Sequence, residues 1–166
     1  MRDKDTEIWE ILRSDYPELY GDEAYKNMML KQYAHARPDV VKGEDEIWAE
    51  LIKWNPPRFP FRCDTGWNNM VRFASSIIRF HSRGTIPIVF QVKQKLGGLR
   101  IYAHNDIKEY DANIQRALHS IEELSFFTCE VCGLVGELRD IDGYLQTLCN
   151  DHFEKADKCR THRHKG

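Results

Sequence analysis

Among the five cysteines and seven histidines of this 166-residue chain, four residues fall at the spacing of metal ligands. Cys129-Glu-Val-Cys132 is followed by Cys149-Asn-Asp-His152, a C-x2-C-x16-C-x2-H pattern. A two-residue spacer lets each pair close on one ion, and three thiolates with one imidazole complete a zinc tetrahedron. No coordination position is left for a reacting water, so the expected cofactor is one structural Zn2+. Its binding energy, about 10–16 kcal/mol in isolated finger peptides, becomes folding energy for a segment too short to build its own core. An iron–sulfur cluster prefers four cysteines, and His152 therefore selects zinc. Cys159 and His162 repeat the C-x2-H spacing and stand as a competing pair.

The residues between the pairs must bring them together. Gly133 directly after Cys132 favours a knuckle whose backbone amides face the sulfurs. Glu137–Ile141 and Tyr144–Leu148 read as strands around an Asp142-Gly143 turn. His152 then falls in the first turn of a helix running to about Lys158. Knuckle, hairpin and helix in that order make a treble-clef-like zinc finger, and Cys149 and His152 at the hairpin end and helix start are the preferred second pair.

Upstream, the pattern predicts α+β architecture: a helical N-terminal part, then a helix–β-hairpin–helix core. Three short helices are expected before residue 55, the first capped by Thr6. Asn55-Pro-Pro-Arg-Phe-Pro60 is a stiff connector. The organisation expected is a helical segment over 1–57, an α/β core with the hairpin over 58–126, and the finger with a basic tail over 127–166. Asp64 or Thr65 caps a helix that buries Trp67, Met70, Val71, Ala74, Ile77, Ile78 and His81 and ends at Gly84. Arg72, Arg79 and Arg83 fall on its opposite, solvated face. Alternation in the next segment turns Ile86, Ile88, Phe90 and Val92 inward, and after a Leu96-Gly97-Gly98 turn also Leu99, Ile101 and Ala103. A helix over 107–125 buries Tyr110, Ile114, Ala117, Leu118, Ile121 and Leu124.

The same alternation turns Val89, Gln91, Lys93, Lys95, Arg100 and Tyr102 outward. Lys93, Lys95, Arg100 and Tyr102 are candidate partner-binding residues, three cations that track phosphates or acidic groups and a ring that stacks on a base. They lie in the one basic part of the chain: residues 64–105 hold six basic side chains and one acidic. An ordinary solvated sheet edge carries lysines too. Cys63 has no identifiable base beside it and is read as packing. The tail from Lys155 is read as a solvated terminus, with a nucleic-acid arm as the alternative.

Composition excludes several classes. Hydrophobic residues make up 42% and charged residues 30%, which is globular rather than disordered. No apolar run reaches the ~18 residues of a membrane span. No phosphate-binding glycine loop or serine nucleophile elbow is present.

Three blocks together, Asp64-Thr-Gly-Trp67, Gln91-Val-Lys-Gln-Lys-Leu-Gly-Gly-Leu-Arg-Ile-Tyr102, and Cys129-Glu-Val-Cys-Gly133 with Thr147-Leu-Cys-Asn-Asp-His152, resemble a group of small bacteriophage and prophage proteins of unknown function. The resemblance covers about Phe59 to Phe153, with Leu96 and Ile101 where the group often has Phe. It implies a phage or prophage origin and the bacterial host cytoplasm, and it supplies no reaction. The expected function is non-enzymatic: an accessory protein that binds a host or phage macromolecule, either protein or nucleic acid. The alternative is a treble-clef-type metal-dependent nuclease. Its hairpin would offer Glu137, Asp140 and Asp142 but no histidine base.

Overall fold

The computed structural model describes the backbone of residues 4–54 and 61–163, and the side chains of Ile8, 10–53 and 61–156. The connector at 55–60 and the side chains of Thr6, Cys159 and His162 lie outside the described residues. The protein is mixed α+β. Helices α1 (Lys4–Asp15), α2 (Pro17–Tyr20), α3 (Asp22–Ala36) and α4 (Glu44–Trp54) precede a short strand, β1 (Phe61–Arg62). Helix α5 (Asn68–Ser82), strands β2 (Ile88–Lys95) and β3 (Gly98–His104), and helix α6 (Lys108–Ser125) form the centre. The hairpin β4 (Glu137–Ile141) and β5 (Tyr144–Leu148) and helix α7 (Asn150–Arg163) complete the chain. Helix α1 begins at Lys4, which places Thr6 inside it and not at its cap.

Strand β2 is central, parallel to β1 and antiparallel to β3. The main apolar core draws on α1, α2, β1, α5, β2, β3 and α6: Leu12, Tyr20, Phe61, Trp67, Val71, Ile78, Val92, Leu99, Ile114 and Ile121 are all buried in it. Full burial of each such aliphatic side chain contributes roughly 1.5–3 kcal/mol. Helices α1 and α2 are therefore part of this core. A second, smaller cluster joins Tyr25 and Met28 of α3 to Ile88 and the half-buried Trp48 and Phe90.

Two expectations for the hairpin change. A bulge between Val89 and Gln91 shifts the register of β2; Val92 beyond it faces inward as expected, and the inserted residue inverts the alternation on the side before it. Val89, expected outward, is consequently in the core, whereas Phe90 leaves it for the smaller cluster. Ile86 precedes the strand and is 65% exposed. The turn itself is two residues long: Lys95 pairs with Gly98, and Leu96 and Gly97 both have positive φ, 53° and 82°. That mirror-image geometry matches the twist of the strands.

Arg72 and Arg79 of α5 are exposed, as expected of its outer face, but each also holds an acidic partner. Arg72 bonds Asp15 at 3.0 Å, and Arg79 grips the Glu18 carboxylate through Nε and Nη2 while its Nη2 also donates to the Asp15 carbonyl at 2.6 Å. Arg79 also lies 4.4 Å above the Tyr16 ring. These bonds fasten the α1–α2 junction to α5. Partial burial pushes the Glu18 carboxyl up, but the Arg79 hydrogen bond, a backbone hydrogen bond and the Arg79 charge together outweigh it and hold the group below its ordinary 4.5. A depressed carboxylate stabilises the fold above its unfolded value and loses that contribution as pH falls through its folded value. Glu18→Gln should thus lower stability at neutral pH by at most about 1 kcal/mol, since the pair is solvent-screened. The gap between the two proteins in urea denaturation should close on acidification through the carboxylate range. A gap unchanged in acid contradicts this role.

Candidate metal centre

The knuckle, hairpin and helix form where the spacing places them, and they bring the four ligand-type residues together. Cys129 Sγ lies 3.6 Å from His152 Nδ1, Cys149 Sγ 3.1 Å from the same nitrogen, and Cys132 Sγ 3.8 Å from Cys149 Sγ. All four ligand atoms lie within 4.8 Å of one another, close enough to hold a metal ion. Burial acts to raise the Cys129 thiol, but the amides of Cys149, Cys132 and Val131 directed at its sulfur hold it below its ordinary range. Gly133, at φ 76°, gives the knuckle its return. The β4–β5 turn has positive φ at Asp142 and Gly143, 56° and 83°, and Asp140 Oδ1 accepts the Gly143 amide at 2.6 Å.

The finger is fastened to the core at two places that spacing alone does not reveal. At the first, the Gly66 amide donates to the Glu130 carbonyl at 2.7 Å, Thr65 Oγ1 to the Val131 carbonyl at 3.3 Å, and Trp67 Nε1 to the Thr128 carbonyl at 2.8 Å. A Cβ on Gly66 would lie 2.3 Å from the Cys129 carbonyl oxygen and 2.6 Å from both the Glu130 oxygen and the Gly133 nitrogen. At the second, Thr147 Oγ1 donates to the Gly97 carbonyl at 2.6 Å, Gln94 Nε2 to the Leu145 carbonyl, and Tyr144 OH to Gln94 Oε1 at 3.2 Å. The Gly-Trp helix start and the Gly-Gly strand block are therefore the two seats of the finger. Their co-occurrence with the cysteine pattern was the signal for this.

Glu130 sits between the seats. Its amide donates to the Thr147 carbonyl at 2.9 Å and its Oε1 accepts from Gln146 Nε2 at 2.5 Å, leaving Oε2 buried without a partner. Burial raises its pKa; the Gln146 bond opposes this, and the nearby Asp64 charge adds to it.

The candidate partner-binding residues are brought together in part. Lys93 pairs across the sheet with Arg62 on one side and Arg100 on the other. Lys93 Nζ lies 5.1 Å over the Tyr102 ring. Arg100 turns away to α6, where it bonds Glu122 at 2.7 Å and lies 5.8 Å from the centre of the Phe126 ring. Lys95 is exposed at the hairpin tip. Cys63 is half-buried against the core, as a packing residue should be. A second group of ligand-type side chains, His119, Glu122 and Glu123, lies on α6, with Glu122 already held by Arg100. No helix among the described residues is long and apolar enough to cross a membrane.

Because the Cβ of Gly66→Ala meets only backbone atoms, no side chain can swing aside to accept it. Strain of this kind costs about 1–3 kcal/mol. The variant should melt earlier while still binding metal, since all four ligands lie within the finger. Unchanged melting, followed by circular dichroism, contradicts a tight seat at Gly66.

No protein-family model, curated protein or solved structure matches the chain, so function is read from the geometry of the molecule itself.

Proposed function

We propose that the chain is a non-enzymatic binding protein held in shape by one structural zinc, and that Cys129, Cys132, Cys149 and His152 are its ligands. The donor set fits the ion. Bond lengths of about 2.3 Å to sulfur and about 2.0–2.1 Å to nitrogen at tetrahedral angles require edges of about 3.8 Å between sulfurs and about 3.5 Å from sulfur to nitrogen. The observed 3.8 Å and 3.6 Å agree with these, while the Cys149 Sγ–His152 Nδ1 edge, at 3.1 Å, would open slightly on the ion. The observation that carries the reading is this convergence of four protein donors, which fill a tetrahedron and leave no position for an activated water. The knuckle, hairpin and helix order supports a treble-clef-like finger, and the ion's chemistry there is to fix the knuckle against the helix start.

Binding is assigned to the open face of the three-stranded sheet, where Lys93, Lys95 and Tyr102 stand beside Arg62, with Arg100 shared with Glu122. Such a face suits an acidic protein surface or a nucleic-acid strand. The motif blocks support a phage or prophage accessory protein working in the bacterial host cytoplasm.

Elemental analysis of the purified protein should return about one zinc equivalent, and Cys129→Ser should lose the metal and melt earlier. Cobalt in its place should give the spectrum of a closed thiolate tetrahedron, insensitive to small anions. Magnesium-dependent cleavage of plasmid or RNA, abolished by a hairpin carboxylate variant such as Glu137→Gln, would establish the nuclease alternative instead.

The sheet face makes a separate prediction. A Lys93→Ala, Lys95→Ala double variant should remain within about 0.5 kcal/mol per site of the parent in stability. If the partner is nucleic acid, its log–log salt slope should become shallower by about two. If the partner is a protein, association should slow. Unaltered binding to either kind of partner removes this face from consideration.

A further inference from the structure

Strand β3 ends the three-stranded sheet, and α6 ties its outer side at two points. Ser125 Oγ accepts from the Leu99 amide at 2.8 Å near one end, and Gln115 Nε2 donates to the Ala103 carbonyl at 2.7 Å near the other. Between these ties opens a cleft of about 390 Å³, with Phe90 and Tyr102 on the sheet side and Gln115, His119 and Glu122 on the helix side. One wall is therefore aromatic and the other carries hydrogen-bonding groups. Glu122 stands there as half of a neutral pair, its carboxylate 2.7 Å from the Arg100 guanidinium, which also lines the cleft. Tyr102 belongs to the open face of the sheet as well: its ring is 40% exposed and carries Lys93 Nζ 5.1 Å from its centre. Arg62 is in register with Lys93, and Lys95 follows at the hairpin tip. Among the described residues, none of these three cations has a carboxylate within ion-pair distance.

Building on the assignment of binding to this face, we infer that the partner is a single-stranded nucleic acid and that the β3–α6 cleft takes one of its unstacked bases. A protein that holds a single strand needs cations that track its phosphates and a ring on which a base stacks. Both occur side by side here, because Tyr102 carries the Lys93 ammonium and also lines the cleft. The helix side supplies what the edge of a base requires. Glu122 and the Gln115 amide oxygen accept from ring N–H and amino groups, Arg100 donates to ring carbonyls, and His119 does either according to its tautomer. A duplex keeps its bases paired and stacked, out of reach of such a cleft. An acidic protein surface would meet the same cations, but its carboxylates gain nothing from an aromatic wall that faces Glu122.

Fluorescence anisotropy with the full chain and a labelled mixed-sequence strand of about twelve nucleotides, prepared as DNA and as RNA, tests the inference. The same strand in duplex form, and an abasic strand with its phosphates intact, serve as the comparisons. The intact single strand should bind more tightly than the duplex and at least about fivefold more tightly than the abasic strand. Tyr102→Leu should remove this fivefold advantage and leave the abasic strand's affinity unchanged, while Tyr102→Phe, which keeps the ring, should retain it. His119→Trp, which fills the cleft from an exposed position on α6, should act like Tyr102→Leu, with the melting temperature of each variant retained. Intact and abasic strands bound equally, or binding indifferent to Tyr102→Leu and His119→Trp, overturns the inference. If the Lys93→Ala, Lys95→Ala variant still weakens binding in that case, the sheet face stands as a phosphate-binding surface without a base site. Absence of binding to every strand also overturns the inference, and the sheet face then stands or falls on a protein partner.

Discussion

The close approach between the Gly66 turn and the backbone at Cys129–Gly133 governs the rest of the architecture. It is a main-chain to main-chain contact, one amide bond at 2.7 Å with no room for a side chain between. Trp67 makes the contact rigid, since its ring is fully buried in the core while its indole nitrogen reaches the Thr128 carbonyl. A buried indole needs such a partner. The same residue thus anchors α5 and holds the entry to the finger. The second seat, at Gly97, prevents rotation about the first. With both engaged, ligand geometry and core geometry cannot vary independently.

Much of this was legible in the sequence because local rules dominate there. The β4–β5 hairpin falls at the expected residues, since an Asp-Gly turn between alternating strands permits one register. Helix α6 departs from expectation by one residue at its start, and Leu124, expected to be buried, is exposed near its end. The convergence of Cys129, Cys132, Cys149 and His152 was readable from paired spacing. What could not be read were the long-range partners. Gly66 and Gly97 look like flexible turn residues, whereas their lack of a side chain serves contacts with residues far along the chain. Arg79 looks solvated in a helical projection, and only tertiary structure brings Glu18 to it. The bulge at Val89 has no signature in a run of apolar residues, so Phe90 and Val89 exchange roles.

Charge is used economically as a consequence. Arg72, Arg79 and Arg100 neutralise Asp15, Glu18 and Glu122, joining elements that the chain separates by many residues. Exposed pairs of this kind are worth little individually; their value is in orienting helices whose apolar contacts do the stabilising. On α5 the two paired arginines stay about half exposed and share the outer surface with two exposed phenylalanines, Phe73 and Phe80.

The placement of the two seats also orders assembly in time. Both seats belong to segments made well before Cys149 and His152 during synthesis, and the α5–hairpin–α6 core that carries them can pack on contacts of its own. The finger, in contrast, has few buried apolar residues, and a bound ion would supply the energy that holds its shape. On the proposed zinc reading, capture of the ion would be the last cooperative event, completed by residues from one short stretch and locked by surfaces already waiting. A cell poor in zinc would accumulate a chain with its body folded and its final quarter loose, open to proteases at that end alone. Metal supply would in this way regulate how much of the protein survives, with no dedicated sensor.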